Sequence, residues 1–378
     1  MCDDLIDYFI ELVQIDSESK DELKVAQKIE KDILELGGAV LFDEAHKKTG
    51  GNVGNLVAKI PGKIDKEPLL FCAHMDTVVP GKGIKPIIKD GIISSESETI
   101  LGSDDKAGIA EVIIAIKNIQ KKNLDYAPIE LLFTISEEIG LRGAINLDYS
   151  LLDSRFGYSL DSSNIGSITT RAPALDEWKV TFKGREAHAG MDPDRGINAI
   201  KVAADALNRI PQGRIDHETT INTGKINGGG PHNIVASKAV VEGEIRSHNL
   251  DTLQETKNLV GDIFTQVAKE HKIKINNKTV MATAEFAIER NFSNLEIDDD
   301  AEIVKLAKES AKKTGLQYSI DIGGGGSDAN ILYDNGIVTP ILGTGMNNVH
   351  SKSENIKIED MQKTLDWIEK IIELYSKK

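Results

Sequence analysis

With 378 residues, 40% of them hydrophobic and 28% charged, the chain is long enough for two or three domains with sizeable cores. Its formal charge of −15 and isoelectric point near 5.1 argue against nucleic acid or an anionic membrane as partner, because both would repel it over a Debye length. Two cysteines, Cys2 and Cys72, make no disulfide framework and favour a reducing compartment. Acids in MCDDLIDYFIELVQ stand where a signal peptide needs basic residues, and no apolar run reaches the ~18 residues of a membrane span. A cytoplasmic protein is expected.

Two amphipathic helices open the chain. The second is announced by Ser19 and Glu22 as a capping box and closed by Gly37-Gly38 after Val25, Ile29 and Ile33. Strands follow: NLVAKIPG, PLLFCAH, IELLFTIS and FGYSLD are apolar runs, with a strongly apolar helix, residues 107–120, between the second and third. Strands alternating with helices predict an α/β fold, a mostly parallel sheet flanked by helices. Past Asp161 the texture changes to WKVTFKG, a helix over 196–208, TTINTGKING, AVVEGEIRS, a helix over 252–270 and KIKINNKTVM. This β-α-β-β-α-β order is that of a split-βαβ unit, an α+β insert. The first texture then resumes with AEIVKLAKESAKKTG, QYSIDI, VTPILGTG and a terminal helix from Ile358. A discontinuous α/β domain, 1–173 and 288–378, would therefore carry an inserted domain at 174–287, with hinges near 171–173 and 285–291.

Polar residues of the α/β part cluster just past the ends of the apolar runs. His74 and Asp76 follow PLLFCA, Glu137 and Glu138 follow IELLFTIS, Asp161 follows FGYSL, His350 lies past VTPILGTG, and Asp104-Asp105 precede a helix. In a parallel sheet these ends share one edge, so the residues could meet in one crevice. Crowded carboxylates repel unless a cation compensates. Imidazole with carboxylate suits Zn²⁺, with Co²⁺ or Mn²⁺ as substitutes, and so many ligands suit two ions bridged by one carboxylate. Asp105 and Lys106 are read as serving the loop and helix start, and Cys72 as a small buried hydrophobe. No G-x-S-x-G elbow supports a serine hydrolase, and GGGGSDAN lacks the Lys-Ser/Thr of a phosphate loop.

HMDTV, GSDDKAG, TISEEIG, SLDSS and NNVHSKSE, in this order, closely resemble the co-catalytic zinc exopeptidases, a family that includes peptidase T, bacterial glutamate carboxypeptidase and the aminoacylases, with peptidase T the nearest in pattern. The resemblance covers essentially the whole chain. It implies that Asp104 bridges two zinc ions, that His74 and Asp161 complete one site, and that Glu138 and His350 complete the other. It makes Glu137 the general base, Asp76 the partner that orients His74, and the insert a ferredoxin-like dimerisation domain. In that insert His188 of REAHAG would stabilise the oxyanion across a homodimer, while Asn233 and Arg246 would grip a substrate carboxylate; Gly325 of GGGGSDAN would lie beside the substrate. Hydrolysis of short peptides by a tripeptide aminopeptidase is the activity implied. An N-acyl amino acid hydrolase or carboxypeptidase with the same metals, or a metal-stabilised binding protein without catalysis, are the alternatives.

Overall fold

A computed structural model describes residues 2–377; the Cys2 side chain, and so any pairing of its thiol, lies outside that description. The chain divides into two units, one of residues up to Arg171 and from Glu296 onward, the other of Ala172–Leu295. Among the described residues, no helix is long and apolar enough to cross a membrane.

The apolar runs of the first unit pair into a nine-stranded sheet in the order Ala39–Phe42, Leu56–Ile60, Ile129–Thr134, Leu69–His74, Gly157–Ser162, Ile341–Gly343, Ser167–Ala172 and Leu295–Glu296, with Ser319–Ile322 also paired to Ser167–Ala172. From Ile129–Thr134 to Ile341–Gly343 the strands are parallel, and antiparallel neighbours flank them. Ile129–Thr134 and Leu69–His74 are buried along their whole lengths, as strands covered on both faces must be. Alternation sends Leu70 and Cys72 to one face, where they meet Leu132, Leu332 and Ile337, and Phe71 to the other, where it stacks on Tyr158. Cys72 is the core residue expected, its thiol pushed well up by burial. The Ser103–Lys121 helix lies against Leu69–His74 and is itself covered by Cys2–Val13 and Ile358–Lys377, so it is buried nearly all round.

Two local expectations fail. Ser19 and Glu22 form no capping box: Glu22 sits at the N-cap of the Leu23–Glu35 helix without a side-chain cap, and both side chains point to other partners described below. A small four-stranded sheet was also not anticipated, with Met346–Asn347, Asn355–Lys357, Ile92–Ser95 and Pro86–Lys89 in that order. Its strands are only two to four residues long, too short for periodicity to show.

The second unit is an antiparallel sheet ordered Gly213–Arg214, Thr219–Gly228, Lys238–Ser247, Ala174–Lys183 and Thr283–Phe292, packed against helices Ala199–Leu207 and Leu250–Glu270. The order β-α-β-β-α-β holds, but its last strand is Thr283–Phe292, within which residues 285–291 had been read as a hinge. KIKINNKTVM is instead a separate hairpin, Lys272–Ile275 with Lys278–Met281, turned by Asn276 and Asn277 at φ of 49° and 62°. In Thr283–Phe292 the alternating Ala284, Phe286 and Ile288 pack on the core, while the interleaved Glu285 and Glu289, and Arg290 next in the same register as Ile288, mask that period with charges.

Phe264 is fully buried at the centre of this core, with its ring 5.5 Å from Trp178, 5.6 Å from Phe182 and 5.5 Å from Phe286. Phe264→Ala should destabilise the insert by about 3–5 kcal/mol. Denaturant unfolding followed by Trp178 fluorescence, in a Trp367→Phe background that silences the tryptophan of the other unit, measures it; a loss below about 1 kcal/mol would contradict this packing.

Candidate metal centre

The loops after the parallel strands bring the expected side chains together. His74 ends its strand, and its Nε2 lies 3.0 Å from Asp104 Oδ1. The other oxygen of the same carboxylate, Oδ2, lies 3.2 Å from His350 Nε2, which is in turn 3.0 Å from Glu138 Oε2. Asp104 thus stands between two imidazoles, one oxygen toward each. Donor atoms of His74, Asp104 and Glu138 all lie within 4.8 Å of one another, and so do those of His74, Asp105 and Asp161. Asp105, read from the sequence as a loop residue, stands among the candidate ligands. Its Oδ2 accepts from the His74 backbone N–H at 3.2 Å, and Oδ1 has no hydrogen-bond partner among the described residues.

Asp76 acts mainly on the backbone. The His74 Nδ1 contacts the Asp76 carbonyl oxygen at 2.9 Å, whereas the Asp76 carboxylate is 3.6 Å from that ring. Its oxygens instead accept from the N–H groups of Glu137 at 2.9 Å and Glu138 at 3.3 Å, and from Ser19 Oγ at 2.6 Å. Glu22 supports the same turn from the other side, accepting from the N–H and Oγ of Ser136, whose φ is 52°. Two buried carboxylates therefore hold Glu137 and Glu138 in place through charge-assisted bonds to main chain. The sequence signal was only Ser19 and Glu22 at a helix start, which local rules assign to capping.

Burial opposes the charge on several of these carboxylates. It raises Asp105, Glu137, Glu138 and Asp161, and nearby Asp161, Asp328 and Glu138 raise Glu137 further. Asp104 alone is held well below the usual range: burial would raise it, but its contacts with His350 and His74 prevail. His74 shows the reverse balance, with burial lowering its pKa and Asp104 and Asp76 more than restoring it. His350 is pushed up to about 10 by Asp104 and Glu138. Without a cation the cluster keeps protons on both rings; divalent ions would replace those protons and relieve the repulsion. The unpartnered Asp105 Oδ1 and Glu138 Oε1 are oxygens still lacking a positive partner among the described residues. Nitrogen and oxygen donors without thiolate fit Zn²⁺, Co²⁺ or Mn²⁺ in an open, catalytic type of site.

The remaining expected residues lie elsewhere. His188 is exposed in the second unit, its Nδ1 accepting from the N–H groups of Gly190 and Met191, and Asn233 is exposed in the same unit. Arg246, also there, is engaged by Glu244 at 2.9 and 3.2 Å. Gly325 belongs to the first unit, in the exposed loop before the Asp328–Asp334 helix. The sequence reading overlooked Asp328, buried in that same GGGGSDAN segment, which accepts from Thr134 Oγ1 and keeps an unpartnered Oδ1 among the described residues. Lys106, expected at the helix start, reaches elsewhere: it is fully buried, donates to the Ile15 carbonyl at 2.7 Å, and burial brings it down to about 7.

This fold and site define a class. The chain matches a peptidase dimerisation domain over residues 174–272 and the M42 glutamyl aminopeptidases over 95–167, and it belongs to the M20/M42 peptidase family. Within that family it is 36% identical to YqjE of Bacillus subtilis, described as uncharacterized, over 98% of this chain and 97% of that one. Among solved structures, the aminopeptidase PepT of Bacillus cereus is 37% identical with a TM-score of 0.90, over 99% of this chain and 98% of that one. A tripeptidase of Staphylococcus aureus is 35% identical with a TM-score of 0.94, over 100% and 99%.

The raised His350 pKa gives metal binding a pH dependence. Metal-free, the contacts of this ring stabilise the fold fully below its unfolded value near 6.5, and that contribution disappears as pH rises through about 10. A metal ion at His350 must displace the proton, so its apparent affinity should strengthen between pH 6 and 9, by up to about tenfold per unit for each proton released. Competition against a chromophoric chelator at stepped pH reads this directly, and a flat affinity would remove His350 from the ligand set.

Proposed function

We propose that this protein is a two-metal exopeptidase that hydrolyses short peptides, acting as a peptidase T-like tripeptide aminopeptidase. The observation that carries the reading is the Asp104 carboxylate, with one oxygen 3.0 Å from His74 Nε2 and the other 3.2 Å from His350 Nε2. Similarity to proteins named aminopeptidase and tripeptidase supports it. His74 and Asp161 would hold one ion, Glu138 and His350 the other, and Asp104 both, with Asp105 beside the first. Zn²⁺ is the proposed metal.

When bound, the ions polarise the scissile carbonyl and make a water easier to ionise. Glu137, its main chain pinned by Asp76, takes a proton from that water as the water oxygen bonds to the carbonyl carbon, then returns a proton to the departing amine as the C–N bond breaks. Beside cations its carboxyl recovers the charged form that burial alone disfavours. His188 would donate to the oxyanion, Asn233 and Arg246 would take a substrate carboxylate, and the Gly325 loop would border the peptide. Arg246 would do so by exchanging Glu244 for substrate. A homodimer joined through the insert belongs to the same reading, supported by the dimerisation-domain match.

Purified protein should bind two Zn²⁺ per chain and lose hydrolysis reversibly on chelation. Glu137→Gln should keep both ions while turnover falls by roughly 10²–10⁴, and Glu138→Gln should bind one ion poorly. Near-normal turnover in Glu137→Gln, or full activity with no metal, would overturn the mechanism.

Substrate class is tested separately with matched peptides. Free tripeptides should be cleaved faster than their N-acetylated forms. The opposite ranking would point to an N-acyl amino acid hydrolase or carboxypeptidase on the same metal centre.

A further inference from the structure

Glu354, four residues beyond His350, is a buried carboxylate that the two-metal reading leaves without a task. Its side chain is 1% exposed and accepts four hydrogen bonds. Oε2 takes the backbone N–H groups of Leu101 at 2.8 Å and Gly102 at 3.0 Å. Oε1 takes Ser103 Oγ at 2.6 Å and the Asp104 N–H at 3.1 Å. The donors come from consecutive residues and end on Asp104.

We propose that Glu354 is a positioning residue that locks the bridging Asp104 to the hairpin carrying His350, and so sets the affinity of the centre for its second metal ion. This rests on the two-metal reading of the site. The hairpin pairs Met346 with Ile356 and Asn347 with Asn355, leaving residues 348–354 as its loop. Inside that loop Ser351 Oγ donates to the Asn348 carbonyl at 2.6 Å and the Glu354 N–H to the Ser351 carbonyl at 3.0 Å, so the turns holding His350 and Glu354 are consecutive and joined at Ser351. Residues 101–105 lack regular helical geometry: Gly102 has φ 77°, and Asp104 and Asp105 have non-helical φ, ψ of −83°, 102° and −121°, 30°. A single carboxylate thus supplies the order that regular structure does not, at the point where Asp104 must present one oxygen to each imidazole.

The chemistry demands an anion with two acceptor oxygens. In Glu354→Gln one oxygen becomes an NH₂ group; the Ser103 hydroxyl can turn to accept from it, but no backbone N–H can. Glu354→Asp is one methylene too short to reach the same four donors. Both changes leave the proposed ligands and Glu137 untouched, yet should loosen the bridge.

The test measures metal binding rather than activity alone. Apo protein is titrated with Zn²⁺ against a competing chelator, and melting temperature is recorded on the same samples. Wild type should bind two ions. Glu354→Gln should bind the first nearly as wild type and the second about 10–100-fold more weakly, with kcat reduced, KM little changed, and turnover recovering as Zn²⁺ is raised. Ser103→Ala, which removes one of the four bonds, should weaken the second ion in the same direction by about threefold or more. A purely structural role for Glu354 would lower the melting temperature and leave both affinities of the folded protein intact, and that result would overturn the proposal. Should Glu354→Gln fail to fold, an unchanged second affinity in Ser103→Ala overturns it instead. Wild type that binds fewer than two ions would defeat the two-metal reading itself, a result distinct from either.

Discussion

Buried carboxylates repel one another, and the architecture of the first unit is organised around that cost. Two kinds of acid stand around the candidate metal centre. Asp76 and Glu354 have both oxygens engaged by main-chain N–H groups, which stabilise their charge with fixed dipoles, and Glu22 has one oxygen so engaged. Asp105 and Glu138, like Glu22, keep an oxygen with no hydrogen-bond partner among the described residues, and the Asp104 carboxylate faces the two imidazoles, one oxygen toward each. The first kind builds the frame; the second leaves negative charge unspent in the crevice. A divalent cation is what such a remainder calls for, and the protonated His74 and His350 are its substitutes when none is bound.

This division of labour explains why the loops are precise without being regular. Ser136 and His350 sit at positive φ, and residues 104–105 interrupt a helix before it has properly begun. Two of these deviations lie next to an anchoring carboxylate from a distant part of the chain: Glu22 for Ser136, Glu354 for the 101–104 segment. Local strain at a functional edge is sustained because tertiary bonds over-determine it. The sheet beneath, with Leu69–His74 and Ile129–Thr134 buried on both faces, supplies the rigid platform.

The insert follows a different economy. Its core holds an aromatic cluster of Trp178, Phe182, Phe264 and Phe286 under two helices, while its surface carries ion pairs such as Lys179 with Glu242 and Arg209 with Glu270. Such surface pairs add little to stability. They leave His188 and Asn233 exposed on irregular backbone, free of the burial that dominates the metal centre.

The central strands of the sheet and the insert were legible in the chain, because apolar runs and period-two alternation are local properties, and candidate ligands could be named, because the ends of parallel strands share one edge. His74, Asp104, Glu138, Asp161 and His350 were legible for that reason, and their ordered motifs carried the family. Tertiary structure alone decided which carboxylates anchor and which remain free. Ser19 and Glu22 looked like a helix cap and instead brace the Ser136–Glu138 turn; Asp76 looked like a partner for an imidazole and also holds the main chain of Glu137 and Glu138; Asp105 looked like a loop residue and joins His74 and Asp161. A hydrogen bond spanning 57 or 114 residues leaves no periodic trace in the chain, since its geometry exists only after the sheet has brought the two segments together. The same holds for Thr283–Phe292, whose alternation becomes meaningful only beside Ala174–Lys183, the strand that gives it a buried face.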